Sequence, residues 1–128
     1  LAAELWMKLA LNCAYNAASA LGRADYGHMM GVPEVRGLLL EAIEEVVSVA
    51  RASGVALDAE AARAACLALA PAMPRQISST AQDLARGRAT EIDHLNGFVA
   101  RRAAALGLDA PVNRTLHALV KLVEAGLG

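Results

Sequence analysis

The sequence predicts an all-α fold, a compact multi-helix bundle, and three observations favour it. Hydrophobic residues make up 56% of the 128 residues but aromatic residues only 3%, so the core must be aliphatic and rich in alanine and leucine. Strand signals are missing, because the valine-rich run 46–49 lies inside a longer helical pattern. Glycine, proline and capping residues divide the chain into pieces of helical length. This size suits one domain, which we assign to residues 1–128.

Six helices are predicted, each bounded by glycine, proline or a capping residue. Pro33 and Pro111 stand in first turns, where the fixed φ of proline is favourable. Ser79–x–x–Gln82 has the form of a capping box, and Thr90 opens the next helix in a similar manner. Residues 22–32 are interpreted as a turn-rich connection because glycines interrupt them. The predicted helices cover about residues 2–21, 33–53, 58–70, 78–87, 90–107 and 111–125.

Composition and charge exclude several classes of protein. Twelve basic residues against thirteen acidic ones give a net charge of −1, so neither a basic surface for nucleic acid nor a polybasic membrane patch is expected. The apolar start of the chain could suggest a membrane span, but Lys8, Asn12 and Asn16 oppose it. Cys13 and Cys66 are interpreted as buried thiols of a reducing, cytoplasmic compartment. Neither they nor the three histidines have the spacing of metal ligands.

The first helix carries one narrow polar stripe. With Lys8 as origin, Asn12 lies about 40°, Asn16 about 80° and Ser19 about 20° around the helix. Solvent-facing helix surfaces usually carry Glu, Lys, Arg or Gln, because asparagine is a poor helix former. The helical wheel leaves two interpretations open: an ordinary solvent face, or a row of hydrogen-bonding groups aimed into a cleft.

A second polar cluster occupies residues 86–97. Thr90 and Asp93 are typical of a helix cap, and the helix dipole favours Glu91 in a first turn. Capping does not explain why several more polar residues lie close together just before Gly97. A glycine within a helix destabilises it, so its presence predicts that a neighbour approaches closely there.

Other polar residues have simpler interpretations. The helix that begins at Ser78 or Ser79 has free amide groups that could hold a carboxylate, although a serine there is often only a cap. Glu41, Glu44 and Glu45 are interpreted as the solvated side of the second helix.

Taken in order, these segments resemble the C-terminal domain of ketopantoate reductase (2-dehydropantoate 2-reductase). The similarity spans nearly the whole chain, and two of its strings are specific. The matching segments are W-x-K-L-x-x-N from Trp6 to Asn12, the run Ser78–Leu84, T-E-I-D-x-L-N-G from Thr90 to Gly97, and a weaker block from Gly107 to Asn113.

The resemblance implies an oxidoreductase that reduces ketopantoate to pantoate with NADPH, a step toward pantothenate and coenzyme A. It implies that Lys8 is the general acid and that Glu91 lies beside the cofactor and this lysine. It also implies that Asn12, Asn16 and Ser79 bind the substrate. These residue types suit the chemistry, because hydride attack on a ketone builds negative charge on oxygen that a positioned ammonium group can neutralise by giving up a proton.

Two features limit what the resemblance implies. Tyr26 stands near a position where the family often has a further substrate-binding asparagine, so another branched 2-oxoacid is an alternative substrate. No G-x-G-x-x-G motif follows a strand, and the chain opens at Leu1 within a helical pattern. We therefore expect a fragment of a two-domain dehydrogenase without its N-terminal Rossmann domain, which would bind most of the NADPH, and we expect the isolated chain to be inactive.

Partners and alternatives follow from the same reasoning. The expected partners are a small 2-keto acid and a second copy of the chain, with no nucleic acid, membrane or metal. Two alternatives remain open: a related 2-oxoacid reductase with a different substrate, or a non-catalytic helical dimerisation module. In the second case the five candidate residues should scatter over the surface.

Overall fold

The computed structural model describes residues 2–127, with side chains to residue 126, and this part of the chain is helical without any strand. The all-α prediction is confirmed. In chain order the elements are α1 (Ala2–Gly22), α2 (Tyr26–Met30), α3 (Pro33–Ala52), α4 (Ala59–Ala72), α5 (Ser79–Ala85), a 3₁₀ helix (Ile92–His94), α6 (Asn96–Ala105) and α7 (Pro111–Leu127).

Helix α1 is the centre of the bundle, because it packs against α2, α3, α4, α5 and α7. Its inward face carries Ala10, Ala14 and Ala17, all fully buried, and such small side chains let the neighbouring helices approach closely. The apolar character of this helix is therefore explained by burial in protein. None of the helices in residues 2–127 has the length and apolarity needed to span a membrane.

Two hydrophobic clusters fill the bundle. The larger lies between α1, α3 and α4, where α3 contributes Leu39, Ile43 and Val46. The smaller joins α1, α5 and α7 around Ile92 and Val120. Both clusters are aliphatic, as the composition predicts.

Both cysteines are free and buried, which confirms that part of the prediction. The Tyr15 hydroxyl donates a hydrogen bond to the Cys66 carbonyl, and the Tyr15 ring packs on Tyr26 with the ring centroids 4.5 Å apart. Burial raises the pKa of the Cys66 thiol to about 11 and also raises that of Cys13. Neither thiol is therefore suited to act as a nucleophile at neutral pH.

The interpretation of residues 22–32 as an irregular turn is wrong in part, because they include α2. The Asp25 side chain caps this short helix by accepting from the His28 amide at 2.9 Å. Gly27 donates to the Pro74 carbonyl at 2.8 Å, and a Cβ there would lie 2.9 Å from the same oxygen. The glycine that looked like a helix breaker is required for the close contact between α2 and the segment after α4.

The predicted helix over residues 90–107 is broken. A 3₁₀ helix ends at His94, the following Leu95 has a φ of −108° and a ψ of −105° that are not helical, and α6 begins only at Asn96. Residues before the break are held by α7: the Thr90 side chain bonds to Glu124, and Asp93 bonds to His117. Thr90 and Asp93 therefore tie two elements together, where sequence reasoning saw only a cap.

Two helix ends also differ from prediction. Helix α4 continues to Ala72, because Pro71 in the last turn does not stop it. Ser78 caps α5 by accepting from the Ala81 amide at 3.1 Å. Gln82 donates to the Ile77 carbonyl at 3.1 Å, so the capping box expected at Ser79 is wrong.

A buried chain of hydrogen bonds joins α1, α3, α6 and α7. The Asn96 amide donates to the Cys13 carbonyl at 3.0 Å and to the Asn113 side-chain oxygen at 2.9 Å. Asn113 in turn donates to Glu45 at 2.8 Å. Glu45 accepts from the Val112 and Asn113 backbone amides at 3.0 Å each, so it caps α7. Its interpretation as part of the solvated face of the second helix is wrong.

Gly97 confirms the expected close neighbour. A Cβ at Gly97 would lie 2.7 Å from Nε2 of His117, and that ring is held by Asp93 at 2.7 Å. Helices α6 and α7 therefore approach at this point only because residue 97 has no side chain.

Asn113→Ala should lower the free energy of unfolding by about 1–3 kcal/mol, because it strands buried donors and acceptors. Chemical denaturation would measure the effect. Arg114→Ala is the matched control on the same helix: its ion pair with Asp109 joins side chains that are 64% and 71% exposed, so its removal should change stability little. Equal losses in the two variants would contradict the role of the buried chain.

Gly97→Ala should destabilise the protein by about 1 kcal/mol, because displacing His117 outweighs the gain in helix propensity. In the His117→Ala background the clash is removed, so the same substitution should become neutral or stabilising. Thermal denaturation of the wild type, the two single variants and the double variant would show this reversal. Destabilisation of equal size in both backgrounds would show that His117 is not the obstacle.

Candidate functional site

The polar stripe of α1 runs from the surface into the bundle. Lys8 is exposed, Asn12 is half-buried and Asn16 is only 6% exposed. Ser19, at the inner end, is fully buried; it donates to the Ala24 carbonyl at 2.8 Å and accepts from the Ser78 amide at 3.2 Å. The stripe is therefore not an ordinary solvent face, and Ser19 holds α1 against the start of α5.

Asn16 has an unusual environment for a buried asparagine. Its backbone carbonyl accepts from the Ser78 hydroxyl at 3.0 Å. Among the described residues, its side-chain amide forms no hydrogen bond with any protein group. The buried side-chain atoms without a partner in the described chain are Thr80 Oγ1 and Asn96 Oδ1, and those of Asn16 are not among them. The Asn16 amide therefore reaches solvent and is accessible to a ligand.

The start of α5 lies against the inner part of the stripe. Ser78 is buried and serves as the cap, whereas the neighbouring Ser79 is exposed as the first residue of the helix. The structure thus brings the α5 start to Asn16 through the Ser78–Asn16 hydrogen bond. Ser79 stays exposed next to this contact.

The T-E-I-D-x-L-N-G segment is mostly structural. Thr90 is bound to Glu124, Ile92 is fully buried in the smaller core cluster, and Asp93 is bound to His117 and Lys121. Asn96 and Gly97 hold α6 against its neighbours, as shown above. Glu91 alone among the acidic and amide side chains of the segment is exposed and, within the described chain, makes no hydrogen bond or ion pair. A structural role therefore does not account for Glu91.

Lys8 and Glu91 form no ion pair with each other, nor with any other group among residues 2–126. Both charged groups are free to meet a ligand or another protein surface. Their convergence on Asn16 and Ser79 around one keto acid stays a prediction.

Two cavities between the helices are lined mainly by apolar residues. One of about 540 Å³ is lined by apolar residues of α1, α2, α3 and α7. Another of about 470 Å³ is lined by Ser19, Arg23 and apolar residues of α5 and α7. Neither of these two cavities includes Lys8, Asn12 or Asn16, whereas Ser19, at the inner end of the stripe, lines the second. Within the described range, no three His, Cys, Asp or Glu side chains are grouped as metal ligands.

Tyr26 does not stand in for an asparagine at the surface. Its side chain is 7% exposed and packs on Tyr15, and its backbone amide donates to the Gln76 carbonyl at 3.0 Å. Burial raises the pKa of its hydroxyl. Tyr26 is therefore a core residue. The alternative of another branched 2-oxoacid substrate rests only on the absence of the asparagine amide that the family often has near this position.

Sequence reasoning missed a group of charged residues on α7. Lys121 lies 3.3 Å from Asp93 and 3.2 Å from Glu124, and hydrogen bonds to these two carboxylates raise its pKa. Hydrogen bonds from His117 and Lys121 lower the pKa of Asp93. Desolvation acts to raise the pKa of Glu124, but hydrogen bonds from Thr90 and Lys121 outweigh it and lower the pKa. The available signal was the spacing of His117, Lys121 and Glu124, which puts them on one face of a helix.

Comparisons with known proteins agree with the resemblance. A family model described as "Ketopantoate reductase PanE/ApbA C terminal" matches residues 1–124. The 2-dehydropantoate 2-reductase of Pyrobaculum aerophilum is 41% identical over 120 residues, which cover 94% of this chain and 43% of that protein.

Solved structures extend the agreement to the fold. The PanE/ApbA family ketopantoate reductase of Ralstonia eutropha JMP134 matches with a TM-score of 0.92 and 51% identity, over 97% of this chain and 41% of that one. A dimeric ketopantoate reductase of Staphylococcus aureus matches with a TM-score of 0.88 and 25% identity, over 99% and 44%. The chain spans about two fifths of the length of these relatives. It belongs to the ketopantoate reductase family and corresponds to the helical C-terminal domain of its members.

Proposed function

We propose that this chain is the substrate-side domain of an NADPH-dependent 2-dehydropantoate 2-reductase, with Lys8 as its general acid. One observation carries the proposal. Within the described chain, an exposed lysine without an acidic partner shares a helix face with Asn16, a residue only 6% exposed whose side-chain amide bonds no protein group. A stripe that carries an unpaired cation and, two turns further along, an unbonded amide suits a ligand that has both a developing negative charge and neutral oxygen atoms.

Lys8 would act on the ketone oxygen. As hydride reaches the carbonyl carbon, the oxygen gains negative charge, and the ammonium group stabilises it and then gives up a proton. Lys8 is exposed in this chain. In a complete enzyme, the nucleotide-binding half would cover this surface and exclude water, which strengthens the interaction between the ammonium group and the oxygen.

Asn12, Asn16 and Ser79 would bind and orient the keto acid. The amide groups can bond hydroxyl and carbonyl oxygens without adding charge. Ser79 stands at the start of α5, in reach of a substrate held against Asn16. Such positioning is worth several powers of ten in rate when the reacting atoms are held in line.

Glu91 would lie beside the cofactor and the lysine. It is exposed and bonds no group in the described chain, so its carboxylate can accept from a hydroxyl group or pair with an ammonium group. NADPH, bound mainly by the other half of the enzyme, would supply the hydride. The residues of this chain would bind the substrate, exclude water and deliver the proton.

We also propose that the enzyme is a cytoplasmic homodimer. Helix α7 exposes Leu119, Leu122 and Val123, which are 43%, 67% and 37% accessible and lie on one helix face. A face of this kind suits association of two copies. Two free cysteines fit a reducing compartment.

Lys8→Ala in the complete enzyme should lower kcat by about 10²–10⁴, as expected for loss of a general acid. Steady-state reduction of ketopantoate, followed by NADPH absorbance, measures it. Glu4→Ala is the matched control, because Glu4 is an exposed charge one turn earlier on α1. Normal turnover in the Lys8 variant would overturn the assignment.

Ketopantoate should be reduced with a higher kcat/KM than other branched 2-oxoacids, and residues 1–128 alone should reduce none of them. A panel of 2-keto acids assayed with the complete enzyme and with the isolated chain tests both statements. Preference for a different keto acid would favour the related reductase with another substrate. Failure of every keto acid with the complete protein would favour a non-catalytic dimerisation module.

A further inference from the structure

Glu91 lies at the start of the 3₁₀ turn, and its backbone carbonyl accepts from the His94 amide at 2.9 Å. Its φ is −87° and its ψ is 13°, and within the described chain its side chain makes no hydrogen bond or ion pair that would fix it. Its position is therefore set by its neighbours in sequence. Those neighbours are bound by charged side chains of α7.

Glu124 makes the strongest of these bonds. One of its carboxylate oxygens accepts both from the Thr90 backbone amide at 2.8 Å and from the Thr90 hydroxyl at 2.6 Å. The Thr90 hydroxyl also accepts from the Ile92 amide at 3.2 Å. Thr90 and Ile92, the residues on either side of Glu91, are thus linked to a single carboxylate.

A second attachment lies one turn along α7. Lys121 bridges Glu124 at 3.2 Å and Asp93 at 3.3 Å, and His117 holds the other oxygen of Asp93 at 2.7 Å. The Glu124 side chain is only 15% exposed, which protects its bonds from competing water. We call Thr90, Asp93, His117, Lys121 and Glu124 the α7 clamp.

We propose that Glu124 is a positioning residue for the reductase, which acts through Thr90 to hold Glu91 in its productive place. This inference rests on the proposed function, because it needs Glu91 to work beside the cofactor and Lys8. Glu124 itself touches neither substrate nor cofactor. A carboxylate near the C-terminal end of the chain thereby controls a residue more than thirty positions earlier, at the active site.

The physical basis is geometric. Catalytic groups need placement to within a fraction of an ångström, and a displacement of about 1 Å can cost about 10² in rate. Without Glu124, Thr90 loses the acceptor for two donors and the backbone around Glu91 can shift. Substrate contacts on α1 and α5 stay in place, so the loss should appear in kcat more than in KM for the keto acid.

The first experiment compares variants of the complete enzyme in steady-state kinetics. Glu124→Ala should lower kcat about tenfold, with KM for the keto acid changed less than threefold. Glu124→Gln should restore most of the turnover, because its amide oxygen can still accept from Thr90 while the half-exposed Lys121 turns to Asp93. Thr90→Val, which keeps the size of the side chain and the backbone amide but loses the hydroxyl, should fall between wild type and Glu124→Ala.

The decisive measurement is a double-mutant cycle with Glu91. If Glu124 acts through Glu91, Glu124→Ala should cause no further fall of kcat in the Glu91→Ala background. The cost in thermal stability should be the same in both backgrounds, because the clamp is present in each. Arg114→Ala, on the same helix but paired with Asp109, is the control and should leave kcat unchanged.

Three outcomes would overturn either the positioning role of Glu124 or the proposed role of Glu91, and the kinetics of the variants distinguish them. An equal loss of kcat from Glu124→Ala with and without Glu91 overturns the positioning role alone. The positioning role is also overturned if Glu124→Ala folds and keeps full turnover while Glu91→Ala is slow. Full turnover of Glu91→Ala overturns the proposed role of Glu91 itself, and the inference falls with it.

Discussion

The structure depends on one constraint: the inner half of α1 is enclosed by other helices, so the polar groups there lose contact with water and need partners in the protein. Ser19 meets this requirement with two backbone groups, and the Cys13 carbonyl is satisfied by Asn96. Asn16 does not meet it within the protein, although its side chain is 6% exposed. Hydrogen bonds hold the bundle around α1, and the unbonded Asn16 amide lies at the candidate site. The buried Thr80 Oγ1 and Asn96 Oδ1 also have no partner within the described chain.

The same buried hydrogen bonds that stabilise the bundle also orient the site. Asn96 and Asn113 connect α6 and α7 to α1, and Glu45 connects α7 to α3. Once α7 is fixed in this way, its charged face reaches the segment before α6 and binds Thr90 and Asp93. Stability and placement of Glu91 are therefore properties of one network. Removing one charged partner on α7 leaves the other unpaired. Such a substitution should therefore lower the stability of the protein and also loosen the placement of Glu91.

The family motif divides into two kinds of residue when it is viewed in three dimensions. Ile92, Asn96 and Gly97 are needed to pack α6 against α1 and α7, and Thr90 and Asp93 are needed to attach the segment to α7. Of the residue types that the motif specifies, Glu91 alone is exposed and makes no side-chain hydrogen bond or ion pair in the described chain. A motif that looks like one functional signature in sequence is mostly scaffold, with a single position left free for chemistry.

The amino-acid sequence determined the helical class, most helix boundaries, the aliphatic core and the resemblance to ketopantoate reductases, because helix periodicity, capping and motif spacing are local properties of the chain. It also predicted a close neighbour at Gly97. It could not predict the break at Leu95, the short helix α2, the capping of α7 by Glu45 or the bonds from Glu124 to Thr90. Each of these depends on groups tens of residues apart, whose meeting is decided only when the helices pack around α1.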